Sequence, residues 1–194
     1  MFDLSFLIIS LPVLLVTITL HEAAHAKAAD MLGDPTPRLA GRLTLNPVAH
    51  IDPIGLAMLI LVRFGWAKPV PINPYNFSDP RKGSLIVSLA GPLSNFLFAW
   101  FLAIIFRTLP ISPGGVLSSI ISYTIWINLA LAVFNLIPIP PLDGSHILEF
   151  FLPPHRMEIM YRLQQYSLII LISILMFGSP LLFAVIEFLY GLLV

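Results

Sequence analysis

The chain contains no cysteine among its 194 residues, which excludes a disulfide framework and any thiolate metal site. Charge is scarce too: Asp, Glu, Lys and Arg together make up 10%, where a soluble domain carries about 25%. Ten basic residues balance ten acidic ones, so no basic surplus speaks for nucleic acid. The sequence also lacks internal repeats, low-complexity stretches and any polar block large enough for a separate soluble domain. What fills it is apolar. Hydrophobic residues make up 58%, the mean hydropathy is +0.93, and the excess comes in long blocks, as in integral membrane proteins. A cleavable signal over residues 1–26 is not expected, because no basic residue precedes the apolar run and Asp3 is its only early charge.

Four blocks are long enough to cross a bilayer, at about residues 4–28, 84–109, 115–138 and 166–193. A fifth, residues 54–64, would reach about 16 Å as a helix, half the hydrocarbon thickness. It reads as a re-entrant or interfacial segment. The basic residues test this choice. If it does not cross, Lys27, Arg38, Arg42, Arg63, Lys68, Arg81, Lys82, Arg156 and Arg162 share one side and Arg107 alone takes the other. Nine against one is a positive-inside signal that puts the shared side at the cytoplasm; a crossing would leave six against four and no signal. The expected fold is therefore an all-α polytopic membrane protein of one domain, residues 1–194. It has four spans, the re-entrant or interfacial segment, short extended β-like pieces, and both ends outside.

The extended pieces lie at residues 38–47 and 64–74. Alternation over residues 42–45 suggests a short strand. Pro69, Pro71 and Pro74 forbid a helix and confine any strand to an edge. Trp66, Tyr75, Phe77, Tyr161 and Tyr166 read as anchors at the membrane interface.

The first span holds no charge over residues 4–20, and then His21, Glu22 and His25 arrive together as HEAAH. Helix positions i and i+4 share a face, so both imidazoles reach one metal ion. Glu22, beside the first, is placed to take a proton from a water that the metal activates. Such a pattern is expected by chance about 0.003 times in a chain with these His and Glu frequencies. Charged residues at membrane depth are costly and mark function. Two histidines leave a catalytic zinc short of its usual three protein ligands. Asp143, Glu149, Asp52, His50 and His146 are the candidates for the third. Asp143 follows the third span directly, behind Pro138, Pro140 and Pro141 and before Gly144, at a depth similar to that of His25.

At this point HEAAHA, AGRLTLNPVAHIDPIG, WAKPVPINP, AGPLSN and NLIPIPPLDGSHIL, in that order, resemble the site-2 protease family of intramembrane zinc metalloproteases, peptidase family M50. The resemblance implies that His21, His25 and Asp143 bind Zn2+ and that Glu22 activates the water. It places Asn135 in the active-site or substrate-positioning set. It gives Gly91 and Asn95 of AGPLSN a role in close packing or substrate contact, and it leaves His50 between catalysis and a turn. A minimal form without PDZ or CBS domain is expected. The activity implied is cleavage of transmembrane protein substrates within or next to their spans, in the cell membrane and its lipid, near the cytoplasmic side. A substrate helix must unwind to be cut, and Val70, Pro71 and Ile72 are the residues expected to receive it by strand addition. The alternative is a non-proteolytic membrane metal-binding or metal-carrier protein. A carrier needs polar residues along a path through both leaflets, whereas here they gather at one end.

Overall fold

A computed structural model describes residues 4–62, 65–112 and 114–194. Among the described residues the elements are helical: α1 (Leu4–Met31), α2 (Thr36–Leu39), α3 (Pro53–Val62), α4 (Pro80–Thr108), α5 (Val116–Asn135), α6 (Gly144–Phe151), α7 (Glu158–Gln165), α8 (Ser167–Ser173) and α9 (Ser179–Leu193). A π turn, Ile174–Gly178, joins α8 to α9, so residues 167–193 form one long apolar rod. Four helices are long and apolar enough to cross a membrane: α1, α4, α5 and this rod. They match the four blocks read from hydropathy.

Local chemistry sets their ends. Asp79 caps α4, its carboxylate accepting from the backbone N–H groups of Arg81 and Lys82 at 3.1 Å each, and Pro80 supplies the fixed φ that suits a first helical position. This span therefore starts four residues before the apolar block suggests. α5 stops at Asn135, earlier than expected, because Pro138, Pro140 and Pro141 cannot continue a helix. α3 starts on Asp52, whose side chain accepts from Gly55 N–H at 2.8 Å. Its 10 residues reach about 15 Å, too short to cross. The end of the expected 54–64 segment, Arg63 and Phe64, lies outside the described residues.

α1 packs on α4, α4 on α5, and α5 on α9. Ala99 and Ala103 of α4, Ile125 and Leu129 of α5 and Ile186 of α9 form a buried apolar cluster, the small alanines letting helices approach closely. Ile8, Val16, Leu97, Phe101, Leu168 and Phe188 face outward, as lipid contact requires. Arg81 fastens α6 to the start of α4, donating to the carbonyls of Glu149 at 2.7 Å, Phe150 at 2.9 Å and Leu152.

Three expectations need correction. Residues 42–45 form no strand: Thr44 N–H turns back to Arg42 O at 3.0 Å, and the Arg42 side chain is drawn inward to the Lys68 and Pro69 carbonyls. The one isolated bridge among the described residues pairs Ile51 with Ala67. Phe77 is no interface anchor; it is 6% exposed and packs with Ala29 and Val87. Polar groups are not confined to one end either, since Glu187 of α9 accepts from Trp126 Nε1 at 2.8 Å.

Candidate active site

α1 and the connection from α5 to α6 meet at one point. His21 and His25, one turn apart on α1, bring their Nε2 atoms to 3.0 Å from each other. Asp143 Oδ2 lies 3.1 Å from the first and 3.3 Å from the second. A contact between α1 and the end of α5 places those two ends on one side of the bundle, which a crossing by residues 54–64 would have prevented. Gly144 lets the chain turn there, because a Cβ would fall 2.5 Å from the carbonyl carbon of Leu136. Gly91 of α4 lies behind the imidazoles. A Cβ there would fall 2.6 Å from Cε1 of His21 and closer still to Nε2 of His25, so only glycine lets α4 approach.

The other ring nitrogens are committed. His25 Nδ1 is 2.7 Å from the Val87 carbonyl, which only accepts, so Nδ1 carries the proton and Nε2 a lone pair. His21 Nδ1 is 2.7 Å from Asn95 Oδ1, with the same consequence. Asp143 Oδ2 receives no hydrogen bond among the described residues. Two lone pairs and a carboxylate oxygen thus converge within 3.3 Å, which is unfavourable unless positive charge sits among them. Ligands about 2.0–2.1 Å from a tetrahedral zinc stand about 3.3–3.4 Å apart, close to the spacings seen here. The residues fit such an ion. Burial pushes the Asp143 carboxyl up, and it is held down, at about 2, when the imidazoles facing it carry the positive charge; with both Nε2 atoms unprotonated, a metal ion would supply that charge instead.

Glu22 sits beside this trio, its Oε2 accepting from Val70 N–H at 3.2 Å. The trio and Glu22 open on a cleft of about 600 Å³, also lined by Val70, Ile72, Asn135 and His146. Residues 67–73 form one wall and are held by anchors rather than by a sheet. Lys68 N–H bonds to His50 O at 3.0 Å, Arg42 grips the Lys68 and Pro69 carbonyls, and Asn73 N–H bonds to Asp34 at 2.8 Å.

The other residues read from sequence fall into distinct places. Val70 and Ile72 line the cleft, while Pro71 between them is exposed, as strand alternation demands. Asn135 lines the cleft and spends its amide N–H on Leu131 O at 3.0 Å. Gly91 and Asn95 lie outside the lining and back the imidazoles. Of the alternative third ligands, His50 bonds Thr44 O at 2.9 Å, Asp52 caps α3, and His146 pairs with Glu149 at 3.0 Å. Only Asp143 joins the two histidines among the described residues. The sequence reading missed Asp34, Arg42, Thr17 and Asn128. An amide in the middle of a span, as Asn128 is in α5, was the signal available.

Two apolar cavities lie next to the cleft. A smaller one shares Trp66 and Ala67 with it. A larger one of about 420 Å³ shares Leu14, Leu59, Gly65 and Leu131 with the smaller and runs between α1, α5 and the α8–α9 rod.

Comparison with known proteins identifies the family. The family model described as peptidase family M50 matches residues 110–178, a stretch that includes Asn135 and Asp143. The chain is 39% identical to "Putative zinc metalloprotease YwhC" of Bacillus subtilis, over 87% of this chain and 79% of that protein. It is 32% identical to the similarly named Rip2 of Mycobacterium tuberculosis, over 92% of this chain and 71% of that protein. Zinc metalloprotease MJ0392 of Methanocaldococcus jannaschii is 29% identical over 72% of this chain and 33% of that protein. No solved structure matches the chain.

Proposed function

Since the chain belongs to peptidase family M50 and is a multi-pass membrane zinc metalloprotease, we propose that it cuts membrane-anchored proteins within or next to their transmembrane segments. The observation that carries the reading is the convergence of His21, His25 and Asp143 beside Glu22, in a cleft bordered by apolar cavities between the spans. A substrate helix could reach such a cleft from the lipid without leaving the membrane. The nine basic residues on the shared side of the expected topology support a site near the cytoplasmic face of the cell membrane.

His21, His25 and Asp143 would hold the zinc, which supplies Lewis acidity toward water and the scissile carbonyl. Glu22 Oε2 takes the proton of the attacking water and hands it to the leaving nitrogen. Val70 N–H, which bonds to Glu22, marks the edge of residues 67–73 that faces the cleft. On that edge the backbone of residues 70 and 72 can receive an unwound substrate, and Pro71, facing away, needs no donor. The carrier reading has less support, because the buried hydroxyls of Ser118 and Thr124 are spent on their own helix, on Gly115 O and Ile120 O at 2.7 Å each.

The test is cleavage of a single-span reporter protein by the purified chain in lipid vesicles. Glu22→Gln is expected to lower the rate about 10²–10⁴-fold with zinc still bound; wild-type cleavage by that variant would sink the assignment. Ile72→Pro, which removes a cleft-edge N–H, is expected to raise KM more than it lowers kcat, and an unchanged KM would remove the docking role.

A further inference from the structure

We propose that Asn128, which touches neither the donor atoms nor the cleft, sets the orientation of His21 through Asn95. The inference rests on the zinc site proposed above. Its starting points are backbone carbonyls, which accept and never donate. Asn128 faces Thr124 O at 2.8 Å and Thr17 Oγ1 at 3.0 Å, so the atom placed there must be its nitrogen. Its Oδ1 is thereby turned to Asn95, 3.0 Å away. Asn95 must answer with its own nitrogen, which also reaches Thr17 O at 3.2 Å. Its Oδ1 is left for His21 Nδ1, at 2.7 Å. An oxygen there obliges Nδ1 to donate, and the lone pair falls on Nε2, the atom beside His25 and Asp143.

Every link is buried: Thr17, Asn95 and Asn128 are each 0% exposed. In an apolar surrounding an amide flip would set oxygen against oxygen at Thr124 and strand two donors, so the assignment is rigid. The two histidines thus reach one tautomer by different means. His25 uses a single backbone carbonyl, whereas His21 depends on two side-chain amides from α4 and α5 and on the hydroxyl and carbonyl of Thr17. Asn128 is a positioning residue, one step further from the metal than Asn95.

Zinc affinity of the full chain in detergent, measured by competition with a chelator of known affinity, reads this without relying on activity. Loss of an outer partner of a metal-bound histidine typically costs about 10–100-fold in affinity, and Asn95→Ala is expected to fall in that range. Asn128→Leu, which keeps the volume, is expected to weaken zinc about 10-fold alone and to add nothing in the Asn95→Ala background, because it acts through that residue. An unchanged affinity in the single variant, or an equal loss in both backgrounds, overturns the relay. If Asn128→Leu does not fold, Thr17→Val is expected to weaken zinc binding and Thr17→Ser to restore it; no weakening, or none restored by serine, also overturns it. His21→Ala separates the two readings. If it leaves zinc affinity unchanged, the metal site itself is wrong. If it abolishes binding while Asn128→Leu does nothing, only the relay fails.

Discussion

Ala99, Ala103, Ile125, Leu129 and Ile186 meet with no polar atom among their side chains. Directly beside them, with Asn128 next to Leu129 on α5 and Asn95 one turn from Ala99 on α4, a polar set of His21, His25, Asn95 and Asn128 is as deeply buried, and each is tied to named partners. The first region associates by shape, so a substitution there changes how tightly helices fit. The second associates by donor and acceptor assignments that run in one direction, from backbone carbonyls to imidazole nitrogens. Losing one member there misdirects the next. The same helices α4 and α5 carry both patterns, which keeps the geometry of the site on rigid elements and away from loops.

The sharpest way to break this contrast is Asp143→Ala. It removes a proposed ligand, so zinc affinity is expected to fall by more than the roughly 10–100-fold that an outer partner costs, and cleavage with it, while the four spans stay assembled. Zinc competition together with size-exclusion profiles checks both halves; retention of wild-type affinity would remove Asp143 from the site. Leu129→Ala probes the other region. It leaves a cavity in the apolar cluster and is expected to cost about 2 kcal/mol of stability, seen as a lower unfolding temperature in detergent, with zinc affinity unchanged below it. If Leu129→Ala weakened zinc as strongly as Asn128→Leu, the two regions would not be separable.

The outline of both regions could be read before the fold was known. Four apolar blocks and a short fifth one carry the span count, because hydrocarbon thickness acts on local sequence. HEAAH carries half of the proposed metal site, since i and i+4 fix geometry within a single helix. Asp143 needed a resemblance and a depth argument, because nothing local ties residue 143 to residue 25. The remainder depends on which helices touch. Asn95 and Asn128 read as ordinary span amides until α1, α4 and α5 pack. Residues 42–45 alternate like a strand but find no partner strand, and Arg42 serves instead as an anchor for residues 68 and 69. Phe77 looks like an interface aromatic until Gly83, which has no side chain to exclude it, lets it pack inward.

Asp34 gives the smallest expected effect and extends the contrast beyond the membrane. It lies just past α1 and is 0% exposed, accepting from Thr36 N–H at 3.1 Å, Thr36 Oγ1 at 2.5 Å, Asn76 Nδ2 at 2.7 Å and Asn73 N–H at 2.8 Å. Burial pushes its carboxyl up, but the Thr36 hydroxyl together with Asn73, Asn76 and the Thr36 backbone pulls it below the usual range. A carboxyl lowered in the folded state adds stability above its unfolded pKa of about 3.9, and loses it as pH falls through the folded value. Asp34→Asn swaps an acceptor for a donor and leaves one of these partners unpaired, at a cost of about 1 kcal/mol near neutral pH. The difference in unfolding temperature between wild type and Asp34→Asn is therefore expected to be full at pH 6 and to shrink on acidification below pH 4. A difference that stayed constant down to pH 3 would mean that Asp34 acts by shape alone, as the apolar cluster does. Zinc affinity at pH 7 is expected to change little, because Asp34 holds the wall of the cleft at Asn73 and not the donor atoms.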